Sequence, residues 1–187
     1  DGAGSGAVGI ICLIGFLMGV IIAFETALVA QIFGAVIFVV NGIGIAMTRE
    51  LGPLMTAILF AGRSGSAFAA QLGTQKVNEE LNALTTFGLS PMYFLVVPRL
   101  IASSLVVPLL SVFATILGIL GGGLVMAMYD ITYTQFYVQL LKSVTVTDIV
   151  FGLVKAVIFG FVIALIGCQC GMNTGAGAAA VGSSTTK

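Results

Sequence analysis

Long apolar segments constrain this sequence more than any other feature. Residues 10–30 are apolar at all but two positions, and comparable stretches recur at residues 33–70, 98–128 and 149–167. A helix needs about 20 predominantly apolar residues to cross a hydrocarbon core of roughly 30 Å. Only 7% of the residues are charged, against about 25% in a soluble domain. The sequence therefore predicts an all-α, polytopic transmembrane helix bundle with four visible spans.

The charge balance and the missing motifs exclude several classes of protein. Seven Lys and Arg residues match seven Asp and Glu residues, and there is no His. The chain thus lacks the basic patch that binds nucleic acid and the commonest general base and metal ligand. It also has no P-loop, no HExxH zinc motif and no GxSxG nucleophile motif. We expect no catalytic residue, no metal site and no nucleic-acid partner.

The second apolar stretch, residues 33–70, is longer than one perpendicular span requires. It contains Gly52 and Pro53, and proline lacks the backbone N–H that a regular helix uses. We interpret the stretch as one long helix that is kinked or broken at these two residues, rather than as two crossings. A broken helix at membrane depth is tolerated only where it is buried in protein or lines a cavity.

Ionisable residues within the spans are candidates for function because charge is costly in lipid. They are Glu25, Arg49, Glu50, Arg63 and Lys155. Arg49 and Glu50 point about 100° apart on a helix, so they need not pair, and Glu50 is free to meet Lys155 from another helix. Structural ion pairs and side chains that reach the interface remain alternatives. Glu25 is assigned to a membrane boundary, and Arg63 to packing against a partner.

Residues 73–91 are polar, in contrast to the spans on either side. Within them an apolar stripe recurs at spacings of four, three and three residues, at Val77, Leu81, Leu84 and Phe87. This spacing predicts a short amphipathic helix at about residues 76–87, which lies at the interface or against a partner. Gly88 and Pro91 signal its end.

Lys and Arg counts in the connections predict the orientation. The 73–99 connection has Lys76 and Arg99, and the final segment has Lys187, whereas the 129–148 connection has only Lys142. The positive-inside rule therefore places the amphipathic helix in the cytoplasm. The polar and aromatic 129–148 connection predicts an interfacial loop with a short helix.

Two GxxxG motifs predict close contacts between helices. Gly15 and Gly19 form one motif in the first span, and Gly118 and Gly122 form another in the third. Small residues at this spacing let two helix backbones approach each other within a membrane.

Several blocks of this sequence resemble the signature of the MlaE (YrbE) permeases, the membrane subunits of MCE-type lipid ABC transporters. The blocks are Arg49-Glu50-Leu51-Gly52-Pro53, residues 59–67, residues 78–99, Asp148 with Lys155, and residues 181–186. The resemblance covers residues 10–187, which we treat as one permease transmembrane domain. Residues 1–9 are interpreted as the edge of a fragment, and residues 74–90 as the region of a coupling helix.

The resemblance implies a homodimer above two copies of a cytoplasmic, MlaF-like ATPase, which would bind the ATP and magnesium. It also implies a periplasmic MlaD-like MCE protein and a small MlaB-like STAS-domain regulator. Phospholipid would lie in a cavity at the dimer interface, with Arg49, Glu50 and Lys155 as candidate polar residues near it. The implied location is a bacterial inner membrane, with a plastid inner envelope as the alternative.

The resemblance further implies that the amphipathic helix docks on the ATPase. The candidate coupling residues are Lys76, Val77, Glu79, Glu80, Leu81, Leu84 and Phe87. The family also has an N-terminal elbow helix and a fifth span that are not visible here. We therefore expect the 187 residues to be part of a longer protein.

Two other functions remain open on the sequence alone. An ion-coupled secondary transporter or channel would use Glu50 and Lys155 as an ion or proton relay, and broken helices with intramembrane charge occur in that class. That function lacks the expected inverted repeat and gives the amphipathic helix no role. A structural membrane scaffold, in which the charges only pack, is the other possibility.

Overall fold

The computed structural model describes residues 5–175 and 178–185, and the regular secondary structure within them is helical throughout. We number the helices α1 (Ser5–Ile32), α2 (Val36–Val77), α3 (Glu80–Thr86), α4 (Met92–Ala127), α5 (Tyr133–Ser143), α6 (Val146–Met172) and α7 (Ala178–Thr185). Four of them, α1, α2, α4 and α6, are long and apolar enough to cross a membrane. The predicted all-α, polytopic membrane fold with four spans is confirmed.

The ends of the helices differ modestly from the predicted boundaries. Helix α1 begins at Ser5, five residues before the predicted start of the first span at Ile10. Helix α6 extends beyond the predicted 149–167 at both ends. Helix α5 confirms the short helix in the 129–148 connection. Residues 1–4 and two residues used in the sequence arguments, Thr186 and Lys187, lie outside the described part of the chain.

Helix α2 is continuous, which confirms one long helix rather than two crossings and corrects the predicted break at Gly52 and Pro53. A π-helical turn, Ala46–Leu51, precedes these residues. The Gly52 N–H bonds to the carbonyl oxygen of Met47, five residues back instead of four. The wider turn accommodates a proline ring that would otherwise crowd the preceding turn, so the backbone stays helical.

The predicted amphipathic helix at residues 76–87 is divided into two segments. Helix α2 ends at Val77, and α3 begins only at Glu80. Between them Glu79 has a φ of 60°, a left-handed conformation that few residues other than glycine adopt. Lys76 and Val77 therefore belong to the end of a membrane span, and a turn separates them from the rest of the predicted stripe.

The apolar residues of the stripe also differ in exposure. Leu81 is buried and Leu84 is half-buried, whereas 81% of Phe87 is exposed. Leu81 therefore packs within the chain itself, and Phe87 is the member of the stripe that is accessible to a partner.

The described chain divides into two compact units, and the boundaries between them fall within α2, α4 and α6. The first unit comprises the described residues up to Thr56 together with Pro108–Ala156. The second comprises Ala57–Val107 together with the described residues from Val157 onward. One buried core cluster of the first unit consists of Ala23, Ala27, Val39, Val40, Ile43, Met47, Val125, Met126, Ile131 and Phe136.

In the first unit, α1 packs closely on α4 through the predicted glycine motifs. A Cβ on Gly15 would lie 2.6 Å from the carbonyl oxygen of Ala114, and a Cβ on Gly19 would overlap the backbone of Gly118. A Cβ on Gly122 would lie 2.9 Å from Ile43 Cγ2. The predicted role of both GxxxG motifs in helix contacts is confirmed.

The second unit has a small core of Leu72, Val96 and Cys168. Helix α7 packs on residues 66–77 of α2. At the end of α2, Lys76 Nζ donates a hydrogen bond of 2.7 Å to the carbonyl oxygen of Met172, the last residue of α6. This bond satisfies a carbonyl that the helix itself leaves without a donor.

Candidate functional site: an intramembrane charge network

The π-helical turn of α2 carries two adjacent charged residues. Arg49 Nε lies 3.5 Å from Glu50 Oε1, so the neighbours that need not have paired do form an ion pair. Their side chains are 48% and 55% exposed in the described chain. The site therefore begins at the same turn that accommodates Pro53.

Helix α6 brings a cation to this turn from more than a hundred residues away. A Cβ on Gly152 would overlap the carbonyl oxygen of Thr48, so only glycine allows α6 to approach α2 this closely. About one turn later, Lys155 Nζ donates a hydrogen bond of 2.6 Å to Glu50 Oε2. The predicted pairing of Glu50 with Lys155 is confirmed, and the bond has the short length of a charge-assisted hydrogen bond.

Arg49 is held on its other side by the first turn of α6. Its Nη1 lies 3.7 Å from Asp148 Oδ1, and its guanidinium carbon lies 5.6 Å from the centre of the Phe151 ring. Asp148 Oδ2 accepts hydrogen bonds from the backbone N–H and the hydroxyl of Thr145. The carboxylate thus caps the N-terminus of α6, where negative charge is favoured, and also faces Arg49.

Four charges of alternating sign therefore form one group, which we call the charge network: Lys155, Glu50, Arg49 and Asp148. The network is neutral as a whole. The three long side chains are between 37% and 55% exposed, and Asp148 is 13% exposed. Because lipid cannot solvate such groups, ionisable residues in spans face protein or a water-filled cavity. The exposed side of the network must therefore be covered by something other than hydrocarbon.

An apolar crevice adjoins the charge network within the first unit. It has a volume of about 220 Å³, and its lining includes Thr48 and Gly152, the chain neighbours of Arg49 and Phe151. Ile116, Ile119 and other apolar side chains line most of the remainder, together with the hydroxyl residues Ser111 and Thr115. A polar cluster beside an apolar crevice offers the two environments that an amphiphilic molecule needs.

Three residues of this site were not predicted from the sequence: Asp148, Phe151 and Gly152. Asp148 was matched to the family pattern but was given no role. A signal for it exists in the sequence, because Thr145 followed three residues later by Asp148 ahead of an apolar run is a helix-capping pattern. The ring contact of Phe151 has no comparable signal, since it depends on how α2 and α6 pack.

The other residues singled out from the sequence are not members of the charge network. Glu25 is exposed on α1, and Arg63 lies in a second π-helical turn of α2, Ala61–Gly65. The candidate coupling residues all belong to the second unit, whereas the network belongs to the first. Within the described residues, no group of three or more His, Cys, Asp and Glu side chains is arranged to hold a metal ion.

Four spans with a neutral charge network among them define a polytopic helical membrane protein with a polar site within its spans. The family model described as Permease MlaE matches residues 1–187. The chain therefore belongs to the MlaE permease family.

Similarity to several named proteins is consistent with this family membership. The chain is 38% identical over 170 residues to a probable ABC transporter permease protein of Synechocystis sp., covering 90% of this chain and 65% of the relative. It is 34% identical to a probable ABC transporter permease protein of Rickettsia typhi, covering 95% and 69% of the two chains. It is 39% identical over 145 residues to the chloroplastic protein TRIGALACTOSYLDIACYLGLYCEROL 1 of Arabidopsis thaliana, covering 77% and 41%. The chain thus spans about two thirds or less of the relatives' lengths.

Proposed function

We propose that this chain is the membrane-spanning permease subunit of an ATP-driven transporter that moves phospholipid. Family membership and the relatives named as ABC transporter permeases support transport driven by a separate, MlaF-like ATPase, which binds the ATP and magnesium. The Arabidopsis relative carries the name of a galactolipid, which supports a lipid substrate.

The observation that carries this proposal is the half-exposed charge network on α2 and α6. Arg49 and Lys155 offer N–H donors of the kind that bind phosphate oxygens, and the adjoining crevice is apolar. A phospholipid likewise carries a phosphate group next to apolar acyl chains. In the proposal, a second copy of the chain closes the exposed side of the network, and the phospholipid lies in the cavity between the two copies.

The proposed assembly has partners on both sides of the membrane. The α3 segment, which we define as residues 80–87 and in which Phe87 is exposed, is the proposed docking surface for the cytoplasmic ATPase. Lys76 bonds the end of the preceding span to the end of α6. An MlaD-like MCE protein would receive or deliver lipid on the periplasmic side, and an MlaB-like regulator would bind the ATPase. The proposed location is a bacterial inner membrane. A plastid envelope membrane is the alternative, because the Arabidopsis relative is named as chloroplastic.

The charge network is less suited to the alternative function, an ion-coupled transporter with a proton relay. Arg49 lies between Glu50 and Asp148, and a guanidinium stays protonated in proteins. A proton therefore cannot pass along the network through Arg49. The relay would have to be confined to Glu50 and Lys155, which already form a direct hydrogen bond.

The test compares E50K, K155E and the double variant E50K/K155E in the full-length protein, purified with its ATPase. The measurements are membrane insertion, thermal stability and the phospholipid retained per complex. Each single variant places like charges together, so we expect retained phospholipid to fall by about tenfold or more while insertion is maintained. The double variant restores an ion pair between positions 50 and 155 but moves the cation and places it beside Arg49. Stability should therefore recover in part, while retained phospholipid stays low.

Two results would contradict the proposal. Recovery of retained lipid in step with stability in the double variant would show that the pair is only structural, as in a membrane scaffold. Transport that follows a proton gradient and ignores ATP would favour the ion-coupled alternative.

A further inference from the structure

A second charged group within the spans lies outside the charge network. Glu25 is on α1, about two helical turns and roughly 10 Å before the end of that helix at Ile32. Its side chain is exposed, and within residues 5–175 and 178–185 it forms no ion pair. The first unit therefore holds one carboxylate in a span whose charge the described chain leaves unbalanced, because the four charges of the network cancel.

Glu25 lines an open groove in the first unit, between the last turns of α1 and the first turns of α2. The groove has a volume of about 700 Å³, within the roughly 300–1,000 Å³ typical of ligand pockets. Its apolar lining includes Val29, Phe33 and Phe38. The hydroxyl of Thr26, also in the lining, already donates to the carbonyl oxygen of Ile22 at 2.5 Å. Glu25 is thus the charged group of an otherwise largely apolar groove.

The charge of this groove determines which occupants it can accept. A carboxylate in a membrane span is costly unless a cation balances it. An anionic headgroup would add repulsion, and an uncharged one would leave the carboxylate unbalanced. A primary ammonium group supplies the missing charge and three N–H donors, whereas a quaternary ammonium supplies charge without donors.

We propose that this groove binds the primary ammonium headgroup of a zwitterionic phospholipid. Glu25 accepts hydrogen bonds from the ammonium group, and the apolar lining receives part of the acyl chains. This inference rests on the proposed function and adds a specificity-determining residue to it. Glu25 selects among headgroups, while the charge network is required to retain phospholipid at all.

The experiment uses the full-length protein with its ATPase, reconstituted in vesicles of equal parts phosphatidylethanolamine and phosphatidylglycerol. The complex is re-extracted, and the retained lipids are quantified by mass spectrometry. We expect the wild-type complex to be enriched in phosphatidylethanolamine. In E25Q the ratio of the two lipids should fall by about tenfold, the effect of losing one hydrogen bond between charged groups, while total lipid is unchanged.

Asp130 provides a matched control. It is an acidic residue of the first unit that does not line the groove, and its φ of 61° is one that asparagine also adopts readily. D130N should therefore keep the wild-type lipid ratio. An unchanged ratio in E25Q, or an equal fall in both variants, would overturn the proposal. So would a constant lipid ratio with loss of a copurifying membrane protein, which would identify the cation as a partner's side chain.

The two proposals fail in different ways in this experiment. If the Glu50 and Lys155 variants retain normal total lipid while E25Q still shifts the ratio, the role of the network is wrong and that of Glu25 stands. If total lipid falls in the network variants and E25Q leaves the ratio alone, only the assignment of Glu25 is wrong.

Discussion

The charge network and the α3 segment show opposite relations between sequence and structure. Glu50 and Lys155 are far apart in the chain, yet they form a 2.6 Å hydrogen bond. Val77 and Leu81 are four residues apart on a predicted stripe, yet a left-handed residue separates them. A charge in a span has few acceptable surroundings, so its partner is strongly determined. In a polar connection water can satisfy the backbone, and a short stripe determines much less.

The largest combined effect, on both stability and retained phospholipid, should come from separating the two helices that form the network. G152L would force α6 away from the Thr48 carbonyl oxygen, because Gly152 has no room for even a Cβ. Overpacking of this kind costs about 1–3 kcal/mol of stability, and it would also break the Lys155–Glu50 bond. We expect a lower melting temperature and a loss of retained phospholipid. The control is G9L, since a Cβ on Gly9 meets nothing within 4 Å; equal effects of both substitutions would contradict the account.

A narrower effect, on stability alone, should come from a charge placed inside the α3 segment. Leu81 is buried against the chain, so L81D would bury an unpaired carboxylate and lose apolar contacts. We expect a loss of about 3 kcal/mol in the unfolding free energy, measured by thermal or denaturant unfolding of the complex. L84D should cost less because Leu84 is only half-buried. Equal costs would mean that α3 does not pack as described.

The smallest effect on stability should come from the exposed end of the same stripe. Phe87 is 81% exposed, so F87D should change the unfolding free energy by less than about 0.5 kcal/mol. If the proposed docking surface is correct, the same substitution should sharply reduce the ATPase that copurifies. N82D adds a similar charge on α3 without removing an apolar contact. ATPase recovery that is normal in F87D would place the docking surface elsewhere.

Hydropathy predicted most of the fold, because the requirement to fill a hydrocarbon core is set by composition alone. The four spans and the Glu50–Lys155 pair follow from the cost of exposing polar groups or charge to lipid. The glycine contacts follow from the small residues that let helix backbones approach closely. The continuity of α2 did not follow. Gly52 and Pro53 favour a helix break, and the sequence gives no signal for the π-helical turn that keeps the helix continuous.

The rest of the site depends on geometry that no local pattern encodes. The 5.6 Å approach of Arg49 to Phe151 and the close contact at Gly152 exist only after α2 and α6 have packed. The turn at Glu79 was missed for a different reason, because glutamate gives no signal for a left-handed conformation. The capping role of Asp148 was open to prediction from the Thr145 spacing.

The central claim is that the charge network faces a transport cavity rather than bulk lipid. The most direct measurement is photo-crosslinking to labelled phospholipid from a phenylalanine analogue at position 151, with position 161 as control. Phe151 and Phe161 are both on α6 and are 51% and 46% exposed, but only Phe151 contacts the network. Crosslinking at 151 should change when the ATPase is trapped with vanadate, while crosslinking at 161 should not. Identical crosslinking at both positions in every nucleotide state would contradict the account.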